Sequence, residues 1–570
     1  MEERTSRLQT VLEMLFREDR FFLLLSVFIG IFSGLAIVCF HYAMALFRLW
    51  FLGTAATPPV WRMLAMPALA GLIIAFLALR FFPAARGSGV NQTKGALYIF
   101  NGYIPLKTAV GKFLLASMAI GSGFSLGPED PSLQIGACIA SFLGRWVNFS
   151  RERLRLLAPV GAAAGLAAAF NAPISAVLFV IEEVIGRWTA GILGSVVLAA
   201  VSSVVVVRSF LGAEPLFRIP VVEVQRPSEL IAYIVLGLAG GLLSVAFAGS
   251  ATALRPRFQQ LPRWSQYLQP AAAGLLVGMI GVLGAPQVMG AGYQAMDSAM
   301  RGHFTWQFLV LLAVLKIVAT LLSFISGTPG GMFAPTLFVG AMLGAAVGEA
   351  EHALLPHLSV SPGTYALVGM GVLFAGFLRA PMTSVFMILE VSGNYAIILP
   401  VIVANTVSYL VARTLQPVAI FDALTRQDGL ELPSMEEERE VGILQVEDAM
   451  RAYRGRIFTP ATPLDEARTA LRKDGFHALL VHMEPEGWCC LRSSDLKART
   501  VVTGEESTLE ALLPEEPMPV LHPDQPLATA LHFADQWPLV PVVSRVGEGK
   551  LEGVVTLRAV LDCYRASDAL

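Results

Sequence analysis

Charge is what this sequence has least of. Of 570 residues only 15% are Asp, Glu, Lys or Arg, while 55% are hydrophobic; an ordinary soluble domain carries roughly 25% charged residues. Residues 21–40 (FFLLLSVFIGIFSGLAIVCF) have no charge at all. A net charge of −2 leaves no cationic excess for nucleic acid, so that partner is excluded. Cysteine is scarce as well. Cys39, Cys138, Cys489, Cys490 and Cys563 show no metal-ligand spacing, and the neighbours Cys489 and Cys490 suit neither a zinc site nor an ordinary disulfide. There is no HExxH helix, which excludes an intramembrane metalloprotease of that type, and nothing here implies an enzyme. Residues 1–20 mix acids and arginines, and no small-residue cleavage site follows the apolar run, so a signal peptide is not expected. This stretch reads as a charged cytosolic helix leading into a first membrane helix.

Apolar segments are abundant instead. They recur at 21–40, 62–82, 109–126, 132–148, 156–183, 190–212, 229–250, 269–285, 307–325, 333–349, 364–376, 382–392 and 396–414. A full span needs roughly 20 residues, and several of these are shorter and interrupted by Gly or Pro. Backbone breaks at membrane depth only where protein or an aqueous cavity satisfies its polar groups, so paired, broken segments point to a transport site. The expected fold class is an all-α polytopic membrane protein over 21–425, followed by an α+β cytosolic tail.

The membrane region repeats itself. A shift of 204 superposes Lys112 on Lys316, Ser122 on Ser326, Gly123 on Gly327, Gly127 on Gly331 and Pro131 on Pro335. It also places Gly136, Ala137 and Gly144 on Gly340, Ala341 and Gly348. A shift of 208 places Ala172-Pro173 on Ala380-Pro381, Val177 on Val385 and Glu182 on Glu390. Nearly one offset held over some 70 residues is a duplication, and inversion of the halves is the usual transporter solution. Past a linker at 426–442 the texture changes. Residues 443–500 and 515–565 each carry an apolar-patterned helix (LDEARTALRKDG, LATALHFADQ) followed by a β-like run (HALLVHM, VPVVS), a tandem module.

A dehydrated anion needs partial positive charge that does not trap it, and helix N-termini supply this through unpaired N–H groups. GSGVNQTKGAL at 87–97, GPEDPSLQIGA at 127–137 and GGMFAP at 330–335 have the required form, Gly- and Pro-bearing entries into apolar helices. Any one of them alone is read as readily as close helix packing. Together with FNAPISAVLFVIEE at 170–183, in this order and spacing, they resemble the chloride channel (CLC) family of anion channels and anion/proton exchangers. The tail resembles a pair of CBS domains.

The resemblance implies site residues. Ser88 matches the serine whose hydroxyl donates to the central anion, favouring chloride over nitrate, although Val90-Asn91 stand where the family usually has Ile-Pro. Met332 and Phe333 match positions whose N–H groups face the ion. Glu129 matches the gating glutamate. Pro128 and Asp130 are departures that remove a cation and add a carboxylate beside that gate. Glu183 matches the glutamate that hands protons from the cytosol in the exchangers. Phe421 stands for a tyrosine that touches the anion from the cytosolic side, without its hydroxyl. In the tail, the nucleotide-binding pattern of Thr/Ser followed three residues later by Asp is half kept in each unit. Asp495 follows Arg492, and Thr556 precedes Ala559, so an adenine nucleotide is the one cofactor left open, beside a dimerisation module. The implied protein is a homodimeric chloride/proton antiporter in the cytoplasmic membrane with a cytosolic C-terminal domain. Passive chloride conduction on the same fold is the alternative. A divalent-cation transporter would need an acidic intramembrane cluster, whereas the acids here stand at the gate, at the proton position or at Glu390.

Overall fold

The computed structural model describes residues 18–55, 58–147, 149, 151–186, 190–214, 216–217, 229–354, 362–429, 444–474, 478–483, 487–498, 508–514, 517–544 and 550–567. Most of the expected N-terminal helix at 1–20 and most of the 426–442 linker lie outside the described residues. The chain divides into two compact units, 1–432 and 433–570.

The described elements of the first unit are helices. Its helices are α1 (Glu18–Phe51), α2 (Val60–Arg80), α3 (Gly89–Tyr98), α4 (Leu106–Ser122), α5 (Glu129–Gly144), α6 (Arg151–Phe170), α7 (Pro173–Phe179, continued by a π turn over Val180–Ile185), α8 (Ala190–Leu211) and α9 (Glu229–Gln259). They continue as α10 (Gln269–Val282), α11 (Tyr293–Met300), α12 (Trp306–Ile325), α13 (Phe333–Leu354), α14 (Pro362–Leu378), α15 (Pro381–Ser392), α16 (Ile398–Leu415) and α17 (Ile420–Gln427). Among the described residues, 8 helices are long and apolar enough to cross a membrane, and α10, α14 and α15 are shorter apolar helices.

The duplication inferred from sequence is physical, because residues related by the shift make reciprocal contacts. Gly127 N–H donates to Gly331 O at 2.8 Å and Gly331 N–H returns the bond at 2.9 Å, an antiparallel bridge between equivalent residues. Lys112 Nζ holds the loop before α3 through Ala85 O and Gly87 O (3.2 and 2.6 Å); Lys316 Nζ holds the loop before α11 through Val288 O and Gly290 O (3.0 and 2.7 Å). At the end of α7, Glu182 accepts from Met382 N, Thr383 N and Thr383 Oγ1 at the start of α15. At the end of α15, Glu390 accepts from Ile174 N, Ser175 N and Ser175 Oγ at the start of α7. Each carboxylate satisfies donors that a helix start leaves orphaned. Two helices whose ends cap each other's starts run antiparallel. A two-fold axis relating them is perpendicular to both, the arrangement that inverted halves require.

Small residues let the helices of each half meet. A Cβ on Gly136 would stand 2.1 Å from Gly161 O, and one on the equivalent Gly340 would stand 2.2 Å from Gly369 O, so backbones touch directly at both crossings. Equivalent turns share even their backbone oddity. Asn171 (φ 55) and Arg379 (φ 61), 208 apart, both sit in the left-handed region ahead of α7 and α15, a cost that non-glycine residues rarely carry.

The second unit contains α18 (Val446–Ala449), α19 (Leu464–Asp474), β1 (Ala478–Met483), β2 (Gly487–Arg492), α20 (Ser493–Ala498), α21 (Leu527–Ala534), β3 (Val540–Val543), β4 (Leu551–Val555) and α22 (Leu557–Ser567). β1 pairs antiparallel with β2 (Leu480↔Cys490), and β3 with β4 (Val540↔Val555). Two apolar cores form here, one around Phe458, Leu479, Val481 and Leu491, the other around Val446, Leu527, Val542 and Val560.

Candidate functional site

Starts of helices converge at the Gly127–Gly331 bridge. α5 begins two residues after Gly127 and α13 two residues after Gly331, so both N-terminal ends meet there. α3 closes on the first turn of α5 because position 89 is glycine: a Cβ there would lie 2.6 Å from Asp130 O and 2.7 Å from Gln134 Cβ. The start of α11 arrives from the other half through Tyr293. Anionic groups are favoured at such ends by the converging N–H groups and dipoles.

Two adjacent carboxylates take these ends. Glu129 is fully buried and accepts a hydrogen bond from the Tyr293 hydroxyl. Its carboxylate also lies toward the backbone N–H of Ala334 in the first turn of α13, beside Gly127. Asp130, 2% exposed, does not share that position. Its Oδ2 accepts from Gly89 N at 3.0 Å, and its Oδ1 accepts from Val90 N at 3.0 Å and from Ser88 Oγ at 3.1 Å. The sequence places a second carboxylate next to Glu129; the structure turns it onto α3, because consecutive helical residues point about 100° apart and α3 offers three donors. Ser88 is the N-cap of α3, its Oγ also accepting from Val90 N at 3.2 Å.

Met332 and Phe333 open α13. The Phe333 ring joins an aromatic cluster with Phe179 (5.0 Å between centroids), Phe374 (5.8 Å) and Phe421 (6.1 Å). Phe421 is thus brought to the same helix start as Glu129. Glu183 sits in the π turn of α7, buried, with Lys94 Nζ at 2.5 Å; the same ammonium reaches Asp422 Oδ1 at 3.0 Å. π turns in α-helices are often functional features. This one separates Glu182, which caps α15, from Glu183, which faces α3 and α17.

Matches to known proteins agree with this geometry. Residues 70–413 match the family model for voltage gated chloride channels. The chain belongs to the CLC family. A second match, residues 510–566, is to the CBS domain. This CLC chain is 33% identical over 422 residues to a ClcB-like protein of Ralstonia nicotianae named among chloride channels, covering 71% of this chain and 97% of that one. It is also 33% identical over 355 residues to an H(+)/Cl(−) exchange transporter, ClcA, of Vibrio campbellii, covering 61% and 76%. Its fold matches the crystal structure of a slow cyanobacterial Cl−/H+ antiporter with a TM-score of 0.67 at 26% identity, over 71% of this chain and 97% of that one.

Sequence reasoning missed three residues of this CLC site. Tyr293 was legible only through the repeat, since Gly87, Gly89 and Val90 correspond to Gly290, Gly292 and Tyr293 at an offset of 203. Lys94 lies inside the quoted GSGVNQTKGAL motif, and Asp422 directly follows Phe421. Neither the motif nor the adjacency says that Lys94 joins Glu183 to Asp422. In the tail, Asp495 Oδ2 accepts from Arg492 N at 3.0 Å and Thr556 Oγ1 from Ala559 N at 3.2 Å, so each side chain caps the helix it opens.

Proposed function

We propose that this protein exchanges chloride for protons across a cytoplasmic membrane, with Glu129 as the gate and Glu183 as the inner proton acceptor. The observation that carries this reading is the buried Glu129 carboxylate lodged between Tyr293 and the start of α13. A carboxylate held at a helix start competes with an anion for the same N–H groups, and its protonation or displacement opens the path. A second carboxylate, Glu183, is buried nearer α3 and α17, and intramembrane acids of this kind mark proton relays. Ser88, the Met332 and Phe333 N–H groups and the Phe421 ring are the proposed anion contacts. We take the molecule to be a homodimer with one path per subunit and the CBS tail in the cytosol, where it serves as a regulatory pairing module; Asp495 and Thr556 are its candidate nucleotide contacts.

One observation favours the passive channel as second reading. Lys94, at 2.5 Å, ties Glu183 into an ion pair that also includes Asp422, and a proton delivered to Glu183 must break it. Chloride efflux from proteoliposomes, recorded together with external pH, separates the two. Exchange moves protons against the chloride flow, and Glu183→Val stops proton movement while chloride continues. Chloride flux with no pH change in the native protein replaces the exchanger with the channel.

A further inference from the structure

The donors at the start of α3 are already spoken for. Ser88 Oγ, Gly89 N and Val90 N all converge on one carboxylate, Asp130. A helix needs a cap, but this one has its own: Ser88 in extended conformation accepts from Val90 N, which is what an N-cap serine does. Asp130 therefore places a full negative charge on a helix end whose serine cap is already made, and it takes the Gly89 N–H as well. A second, independent feature marks the same helix end. Asn91, in the first turn of α3 and 4% exposed, has neither Oδ1 nor Nδ2 hydrogen-bonded, and the Oε1 of Gln134, one turn beyond Asp130, is buried without a partner. Buried polar groups are nearly always satisfied by protein, water or ion. The unpaired Asn91 amide and Gln134 Oε1, at the same helix end as the three converging donors, are polar groups that a small polar or ionic occupant would satisfy.

We propose that Asp130 is a tethered anion that occupies the Ser88–Val90 donor set, and that a transported halide binds there only by displacing it. This rests on the reading of the protein as an anion transporter and adds to it a second competing carboxylate, bound to a different helix from the gate. Glu129 and Asp130, adjacent in the chain, guard the starts of α13 and α3 respectively. The halide's affinity at Ser88 is then set by the exchange of one anion for another on the same three donors. While Asp130 stays in place, the Ser88 hydroxyl contributes little to choosing among anions.

The test is chloride binding to the purified, full-length protein by isothermal titration calorimetry, which does not depend on transport. Asp130→Gly is expected to bind chloride at least about tenfold more tightly than native, the factor that one hydrogen bond to a charged group is worth. Asp130→Asn keeps an oxygen to accept from the α3 N–H groups but no charge; it guards against a misfolded glycine variant and is expected to tighten binding in the same direction. Ser88→Ala is expected to weaken binding by a larger factor in the Asp130→Gly background than in the native one. Unchanged or weaker binding in both Asp130 variants, with melting temperatures lowered, would make Asp130 a structural cap and overturn the proposal. So would an equal Ser88→Ala effect in both backgrounds. Failure of the transport reading shows separately, as native proteoliposomes that move no chloride.

Discussion

The two halves of the membrane unit agree at Glu182 and Glu390 and disagree one residue later, where Glu183 has Val391 as its counterpart. The agreeing pair makes the same three bonds in each half and closes helix starts. The disagreeing position holds a buried acid in one half and an aliphatic side chain in the other. The same contrast recurs at the 204 offset, where Lys112 and Lys316 do one job twice while Glu129 and Asp130 face Phe333 and Ala334. A two-fold scaffold keeps what both halves need for packing. The proposed chemistry, which must distinguish one membrane face from the other, is assigned to residues that break the symmetry.

Perturbing the symmetric positions is expected to harm folding equally in either half. Gly136→Leu and Gly340→Leu, each forcing a side chain into a carbonyl little more than 2 Å from its Cβ, are expected to cost more than about 4 kcal/mol. Neither variant should be recovered as a monodisperse protein by size-exclusion chromatography, and a well-behaved Gly340→Leu protein would break the equivalence. Glu182→Gln and Glu390→Gln are milder. Each keeps an acceptor and loses the charge, and each is expected to lower stability by about 1–2 kcal/mol, seen as matching drops in melting temperature. The smallest expected effect is at an asymmetric contact. Tyr293→Phe removes the hydroxyl that holds Glu129, and chloride efflux should rise by up to about tenfold, the worth of one such bond, with melting temperature little changed. A slower or unchanged flux would mean that Tyr293 does not hold the gate shut.

The repeat, the membrane helices and the motif positions were legible in the sequence because each leaves a linear trace: an offset, an apolar run, a Gly/Pro entry. Asp130 shows where such traces stop. Its place beside Glu129 is written in the chain, but its direction is set by α3, which can approach only because residue 89 lacks a side chain. The π turn over Val180–Ile185 is likewise silent, since VIEEVI reads as ordinary helix, yet it aims two neighbouring glutamates at different helices. The Lys94–Glu183–Asp422 group joins residues 89 and 328 apart in sequence along its two ion pairs, a distance over which no periodicity carries information.

The most direct measurement compares those neighbours, Glu182→Gln and Glu183→Gln, in one reconstitution with chloride efflux, external pH and melting temperature recorded for each. Glu182→Gln is expected to lower the melting temperature and keep the ratio of protons to chloride, while Glu183→Gln, which leaves Lys94 paired with Asp422 alone, is expected to lose proton movement and keep chloride flux. Proton movement that survives Glu183→Gln, or disappears in Glu182→Gln while the melting temperature stays native, would contradict the division of labour between symmetric and asymmetric positions.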